Sequence, residues 1–144
     1  EHQKSIYYDD YAHHPTEIYE LLKSTRMVYR SKKIISVFQP HRISRLNVLK
    51  KKFTKCFKFS DKVLLCPVYK AGENLKLKFD YNKFAKEIIK NSKVELIMIN
   101  NERELAKYAK HNIYGNKIVI GMGAGSISNW IRELKQLLKW ILKI

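Results

Sequence analysis

Five times over, this chain sets a short apolar run ahead of a longer stretch with helical spacing, and that alternation leaves few folds open. The runs are Ser5–Tyr8, Lys33–Phe38, Lys62–Tyr69, Val94–Ile99 and Lys117–Ile120. The segments that follow them are Pro15–Arg26, Ser44–Phe57, Tyr81–Asn91, Asn101–His111 and Ser126–Leu142. Their apolar residues recur at three and four positions: Ile18, Leu21, Leu22 and Thr25 in the first, Leu46, Leu49, Phe53 and Phe57 in the second, Leu105, Ala106 and Ala109 in the fourth. Strands that are apolar throughout are buried on both faces, and strands separated by helices pair in parallel through crossovers. The expected fold is α/β: a three-layer, Rossmann-like, doubly wound domain with a mostly parallel sheet of five to six strands and helices on both faces. A sixth strand depends on Glu73–Phe79, whose alternation fits a strand or a loop. At 144 residues the chain forms one domain, 1–144.

Charge narrows the partners. Lys and Arg number 29 against 13 acids, a formal +16. That balance raises nucleic acid, a membrane surface or a phosphorylated small molecule as partners. The excess is mostly Lys spread along helical stretches, as at Lys50, Lys51, Lys52, Lys55 and Lys58, so neither nucleic acid nor membrane is the expected partner. No apolar run reaches the roughly 18 residues of a membrane span. The first residues are charged and then aromatic, unlike a cleaved leader, and the chain begins at Glu1 as a piece of a longer protein would. Cys56 and Cys66 lack any CxxC or His partner at zinc spacing; two free thiols fit a reducing cytoplasm, and no metal site is expected.

In doubly wound sheets ligands bind at the carboxyl ends of the strands. Four such ends are rich in polar residues or glycine: Asp9–His14, Gln39–Arg45, Tyr69–Glu73 and Gly121–Ser126. In the first, adjacent Asp9 and Asp10 point opposite ways on a strand, so they are no proton-sharing dyad. Neighbouring His13 and His14 do not face one ion as i, i+4 histidines would. Asp10 suits either a ribose diol or an arginine as hydrogen-bond donor, with Tyr11 and His13 flanking a small substrate; alternatively Asp10 or His13 caps the helix that Pro15 starts. In the second, Arg42 and Arg45 fall on one side of a helix start, beside His41. They form either a carboxylate or phosphate clamp or a surface pair. In the last, Gly123 and Gly125 open a helix either as a tight turn or as backbone contacts for a ligand. Their spacing is neither a dinucleotide fingerprint nor a Walker A loop.

Taken in order, four segments resemble one family. They are Asp9-Asp10-Tyr11-Ala12-His13-His14-Pro15-Thr16-Glu17, Phe38-Gln39-Pro40-His41-Arg42-Ile43-Ser44-Arg45, Val68-Tyr69-Lys70-Ala71-Gly72-Glu73 and Gly123-Ala124-Gly125-Ser126-Ile127. The chain is similar to the C-terminal domain of the Mur ligases, in particular those that join L-alanine to UDP-N-acetylmuramate for peptidoglycan. The resemblance implies a three-domain, cytoplasmic enzyme in which this domain closes over the others. ATP and Mg2+ would be bound mainly by a central domain, with no cofactor expected in this fragment. The muramate carboxylate would be activated as an acyl phosphate and attacked by the alanine amine. It further implies that Asp10 contacts the ribose, and that Tyr11, His13, His41, Arg42 and Arg45 line the pocket for the amino acid and the new carboxylate. Catalysis by proton transfer is assigned to none of these residues. Ile43 and Lys70 depart from the pattern, where an aromatic residue and proline are usual. A muropeptide-recycling ligase that adds a preformed tripeptide shares the fold, and a non-enzymatic basic α/β module is the other alternative.

Overall fold

Each apolar run forms one strand and each periodic segment one helix. The computed structural model describes residues 5–73 and 76–141. The elements are β1 (Ile6–Asp10), α1 (Pro15–Val28), β2 (Lys33–Phe38), α2 (Ile43–Lys55), β3 (Lys62–Leu65), α3 (Tyr81–Ser92), β4 (Glu95–Met98), α4 (Glu102–Asn112), β5 (Lys117–Met122) and α5 (Ile127–Ile141). The strands form one sheet in the order β1-β5-β2-β3-β4, every neighbouring pair parallel.

Strand alternation sorts the side chains into two cores. Ile34 and Phe38 of β2, with Ile118, Ile120 and Met122 of β5, face Ile18 and Leu22 of α1, Leu46 and Phe53 of α2, and Phe84 and Ile88 of α3. Ile35, Val37 and Val119 face the other way, onto Leu105 and Ala109 of α4 and Ile127, Ile131 and Leu134 of α5. The result is three layers, with α1, α2 and α3 on one face and α4 and α5 on the other. Gly121 lets α5 lie close: a β-carbon there would sit 2.3 Å from Ile131 Cγ1. Among the described residues no buried side-chain nitrogen or oxygen lacks a hydrogen-bond partner.

The strand ends differ from the sequence reading in instructive ways. β1 runs on through Asp9 and Asp10, because β5 continues to Met122 and supplies ladder partners for both. As an edge strand β1 tolerates acids at its tip: Asp9 reaches the Ser128 hydroxyl on α5, while Asp10 points to the opposite face. β3 stops at Leu65, short of Tyr69, since Pro67 has no N–H to give a ladder. Pairing resumes as a single parallel bridge, His41 to Tyr69. No strand forms over residues 73 and 76–79, so the sheet has five strands among the described residues; Asn74 and Leu75 lie outside them, as does Leu142. The chain turns there instead, through Ala71 at φ 51° and Gly72 at φ 80°.

The topology fixes where a ligand would sit. β5 inserts between β1 and β2, and its helix lies on the face opposite to α1 and α2. The loops after β1, β2 and β5 therefore lie together at the carboxyl edge of the sheet, the place of the ligand crevice in doubly wound folds.

Candidate functional site

The loop after β1 is set by its own hydrogen bonds. The Asp10 carboxylate accepts from the Ala12 N–H at 2.8 Å, closing an Asx turn. Helix α1 is capped by His14, not by Asp10 or His13: His14 Nδ1 accepts from the Thr16 N–H, and Glu17 accepts from the His14 N–H at 3.0 Å. His13, not used as a cap, is half-buried beside His41. Its Nδ1 donates to the Tyr11 carbonyl at 2.8 Å, which leaves Nε2 as an acceptor in the neutral ring.

From His13 a column of rings crosses the sheet edge. Tyr11 meets His13 edge-on at 5.1 Å between centroids, and His13 meets His41 at 5.8 Å. His41 stacks on Tyr69 at 5.6 Å with planes 24° apart. Beyond Tyr69 lies the Gly125 backbone, where a β-carbon would fall 2.4 Å from the ring. Four loops, each from a different strand, meet in this column. Tyr11 is the outermost member, 70% exposed.

Arg45 joins the column from the first turn of α2. Its Nη1 donates to His41 Nδ1 at 3.2 Å and lies 3.4 Å from the His41 carbonyl oxygen. An accepting Nδ1 requires a neutral imidazole. Burial, and then the charges of Arg45, His13 and Arg42, hold the His41 pKa below its ordinary value, with Glu73 opposing them. The unfolded chain therefore binds the proton more readily than the folded one, and stability rises with pH across that range. Thermal stability should be level at high pH and fall as pH drops below about 6.5, the ordinary histidine value. The His41→Gln variant should lose that share of the slope. Melting curves of the two proteins that run parallel from about pH 8 to about pH 5 would refute the assignment.

Arg42 occupies the N-cap of α2 with φ 69° and ψ 130°, a left-handed backbone for a residue with a β-carbon. Its N–H donates to the Tyr69 carbonyl at 2.9 Å, and its side chain is exposed. Arg42 thus stands just outside the helix and Arg45 in its first turn, so the two are neighbours along the chain without sharing a helical face by spacing alone.

Three residues that sequence reasoning did not single out complete the arrangement. Gln39, 3% exposed, ties the loop after β2 to that after β5: Nε2 donates to Ser126 Oγ at 2.9 Å and Oε1 accepts from the Ile127 N–H at 3.1 Å. Tyr69 is the base of the ring column. Glu73 caps α2 from a distant loop. Gly123 and Gly125 have packing reasons of their own, since β-carbons there would meet the Gln39 carbonyl oxygen at 2.8 Å and the Tyr69 ring. Two buried thiols stand apart from the site: burial raises the Cys66 pKa to about 12 and pushes Cys56 up as well.

The fold and site define a doubly wound α/β domain whose carboxyl edge carries an aromatic–imidazole column with Arg42 and Arg45 on the adjoining helix start. The sequence profile of the Mur ligase glutamate ligase domain matches residues 1–125, and the chain belongs to that family. It is 56% identical over 137 residues to a UDP-N-acetylmuramate–L-alanine ligase of Pelagibacter ubique, covering 95% of this chain and 30% of that protein. The solved UDP-N-acetylmuramate–alanine ligase of Thermotoga maritima superposes with a TM-score of 0.69 at 27% identity, over 92% of this chain and 27% of that one. A murein peptide ligase of Psychrobacter arcticus superposes with a TM-score of 0.73 at 15% identity, over 94% of this chain and 28% of that one, a likeness of fold alone. The chain spans less than a third of the length of these relatives.

Proposed function

We propose that residues 1–144 are the C-terminal, closing domain of a three-domain, cytoplasmic, ATP-dependent ligase that joins L-alanine to UDP-N-acetylmuramate. The observation that carries this reading is Arg45 anchored on neutral His41 within the ring column. The guanidinium is held in place before any ligand arrives, and His41 adds no charge of its own beside it. Arg42 and Arg45 hold the amino-acid carboxylate, while Tyr11, His13 and His41 wall the pocket around its side chain. The same cations disfavour the ammonium form of the bound amino acid, so its free amine faces the acceptor. ATP, when bound with Mg2+ mainly by the central domain, supplies the phosphoryl group that activates the muramate carboxylate. This domain contributes Asp10: one carboxylate oxygen is taken by the Ala12 N–H, and the other is the group we assign to a ribose diol. The backbone at Gly123 and Gly125 borders the same crevice. Nothing here moves a proton; the contribution is positioning, which brings amine and acyl phosphate within reach.

The test is ligase turnover by the full-length protein with UDP-N-acetylmuramate, ATP and L-alanine. Phosphate release dependent on both acceptor and L-alanine is expected. Turnover with a preformed tripeptide in place of L-alanine would instead identify a recycling ligase. The 144-residue chain alone should show no ligase turnover, because it contains no Walker A phosphate loop. Substrate-dependent ATP consumption by that chain would overturn the division of labour. A tight, salt-sensitive complex with nucleic acid would favour a basic binding module.

A further inference from the structure

We infer that Glu73 is a positioning residue of the amino-acid site, supplying from the β3–α3 loop the helix cap that lets Arg42 occupy the N-cap of α2. The inference rests on the functional reading above. Helices α1, α3 and α4 are capped by acceptors at their own N-cap positions, His14, Asp80 and Asn101. Helix α2 has Arg42 there, and arginine has no acceptor to offer. Glu73 fills the role from 30 residues away. Its Oε2 accepts from the Ile43 N–H at 2.6 Å, and its Oε1 accepts from the Ser44 N–H at 3.3 Å and from the Ser44 hydroxyl. Those donors, the Ser44 hydroxyl foremost, hold the Glu73 carboxyl below the usual carboxylate range, with the Arg42 charge adding to them.

The surrounding backbone is laced in the same direction. Tyr69 N–H donates to the Pro40 carbonyl at 2.8 Å, and Arg42 N–H to the Tyr69 carbonyl at 2.9 Å. Glu73 is turned toward α2 by Ala71 and Gly72, both at positive φ, with its own N–H on the Lys70 carbonyl at 3.0 Å. Segment 40–44 is therefore clamped to segment 69–73, and the left-handed backbone of Arg42 lies inside the clamp. A serine or aspartate at position 42 would cap α2 more simply, but would put no cation at the crevice. Importing the cap leaves the N-cap position to a guanidinium. Because both Glu73 oxygens are committed to helix donors, that guanidinium stays available to a ligand carboxylate.

The experiment is a double-mutant cycle in the full-length ligase, with Glu73→Gln and Arg42→Ala singly and together. Glu73→Gln keeps the shape and one acceptor oxygen. It should raise the KM for L-alanine about tenfold, leave the KM for ATP within about twofold, and shift the melting temperature by only a few degrees. On the Arg42→Ala background the same change should move the KM for L-alanine by less than about twofold. Ser44→Ala, which removes one donor to the carboxylate, should give a smaller rise of about two- to threefold. Equal effects of Glu73→Gln on both backgrounds would overturn the inference, as would no effect in the presence of Arg42. If Arg42→Ala leaves the KM for L-alanine unmoved, the assignment of the amino-acid site itself falls, and this inference with it.

Discussion

Alanine at Arg45 is expected to raise the KM for L-alanine about a hundredfold in the full-length ligase, with kcat falling by less than about tenfold. The size follows from geometry. Arg45 Nη1 is already spent on His41 Nδ1 and lies against the His41 carbonyl oxygen, so the fork needs little ordering when a carboxylate arrives. Charge-assisted pairs of this kind contribute about 1.5–3 kcal/mol, and a hundredfold change in affinity is about 2.7 kcal/mol. The remaining loss in kcat reflects an amine less well aligned with its target. Arg45→Lys should rescue little, because an ammonium cannot hold both His41 and a bidentate carboxylate. Initial rates against L-alanine concentration decide it; a KM within about threefold of the wild type would remove Arg45 from the pocket.

The second large effect is structural. Phe38→Ala should cost about 3–5 kcal/mol of folding stability. Phe38 is fully buried at the carboxyl end of β2, with ring centroids 5.6 Å from Phe53 and 5.2 Å from Phe57. It joins the sheet to α2 beneath the site, and the next residue is Gln39, which ties two of the loops together. A domain of this size has about 5–15 kcal/mol in total, so the change removes a large share of it. The melting temperature should drop by roughly 10–15 °C, and Phe38→Leu by much less. A urea midpoint implying a loss under about 1 kcal/mol would show that the aromatic cluster is not the support it looks to be.

Much of this was legible in the chain. Apolar runs with helical segments between them gave the layers, since β2 and β5 are buried on both faces and carry no polar stripe. The opposite aims of Asp9 and Asp10 followed from strand geometry alone, and Ser128 and Ala12 are their separate partners. Element ends were harder. Strand geometry gives the aims of Asp9 and Asp10 but not how far the pairing runs; their ladder partners are Gly121 and Met122, at the far end of the chain. His14 as the helix cap was hidden because nothing local ranks it above Asp10 or His13 in the same loop.

The site divides along the same line. His41 and Arg45 meet across four residues at the start of α2, so their spacing reported their proximity. Gln39, Tyr69 and Glu73 act across 28 to 88 residues, on His41, Gly125, Ser126, Ile127 and the start of α2. A glutamate in a loop and a glutamine before a proline carry no local sign of such work. The glycines at 123 and 125 signalled a close approach, and what approaches is the protein's own Gln39 and Tyr69.

The strand order has a consequence for how the molecule is made. β1 has one strand neighbour, β5, and β5 is the last strand in the chain. At ordinary synthesis rates roughly 6–22 s separate the appearance of Ile6 from that of Lys117. Throughout that interval the first strand has no ladder to join, and the crevice it borders has no far wall. β2, β3 and β4 can assemble as they emerge, whereas the binding edge closes only when residues 117–122 slide between strands made long before. The sheet is thus closed by a late keystone, its last strand.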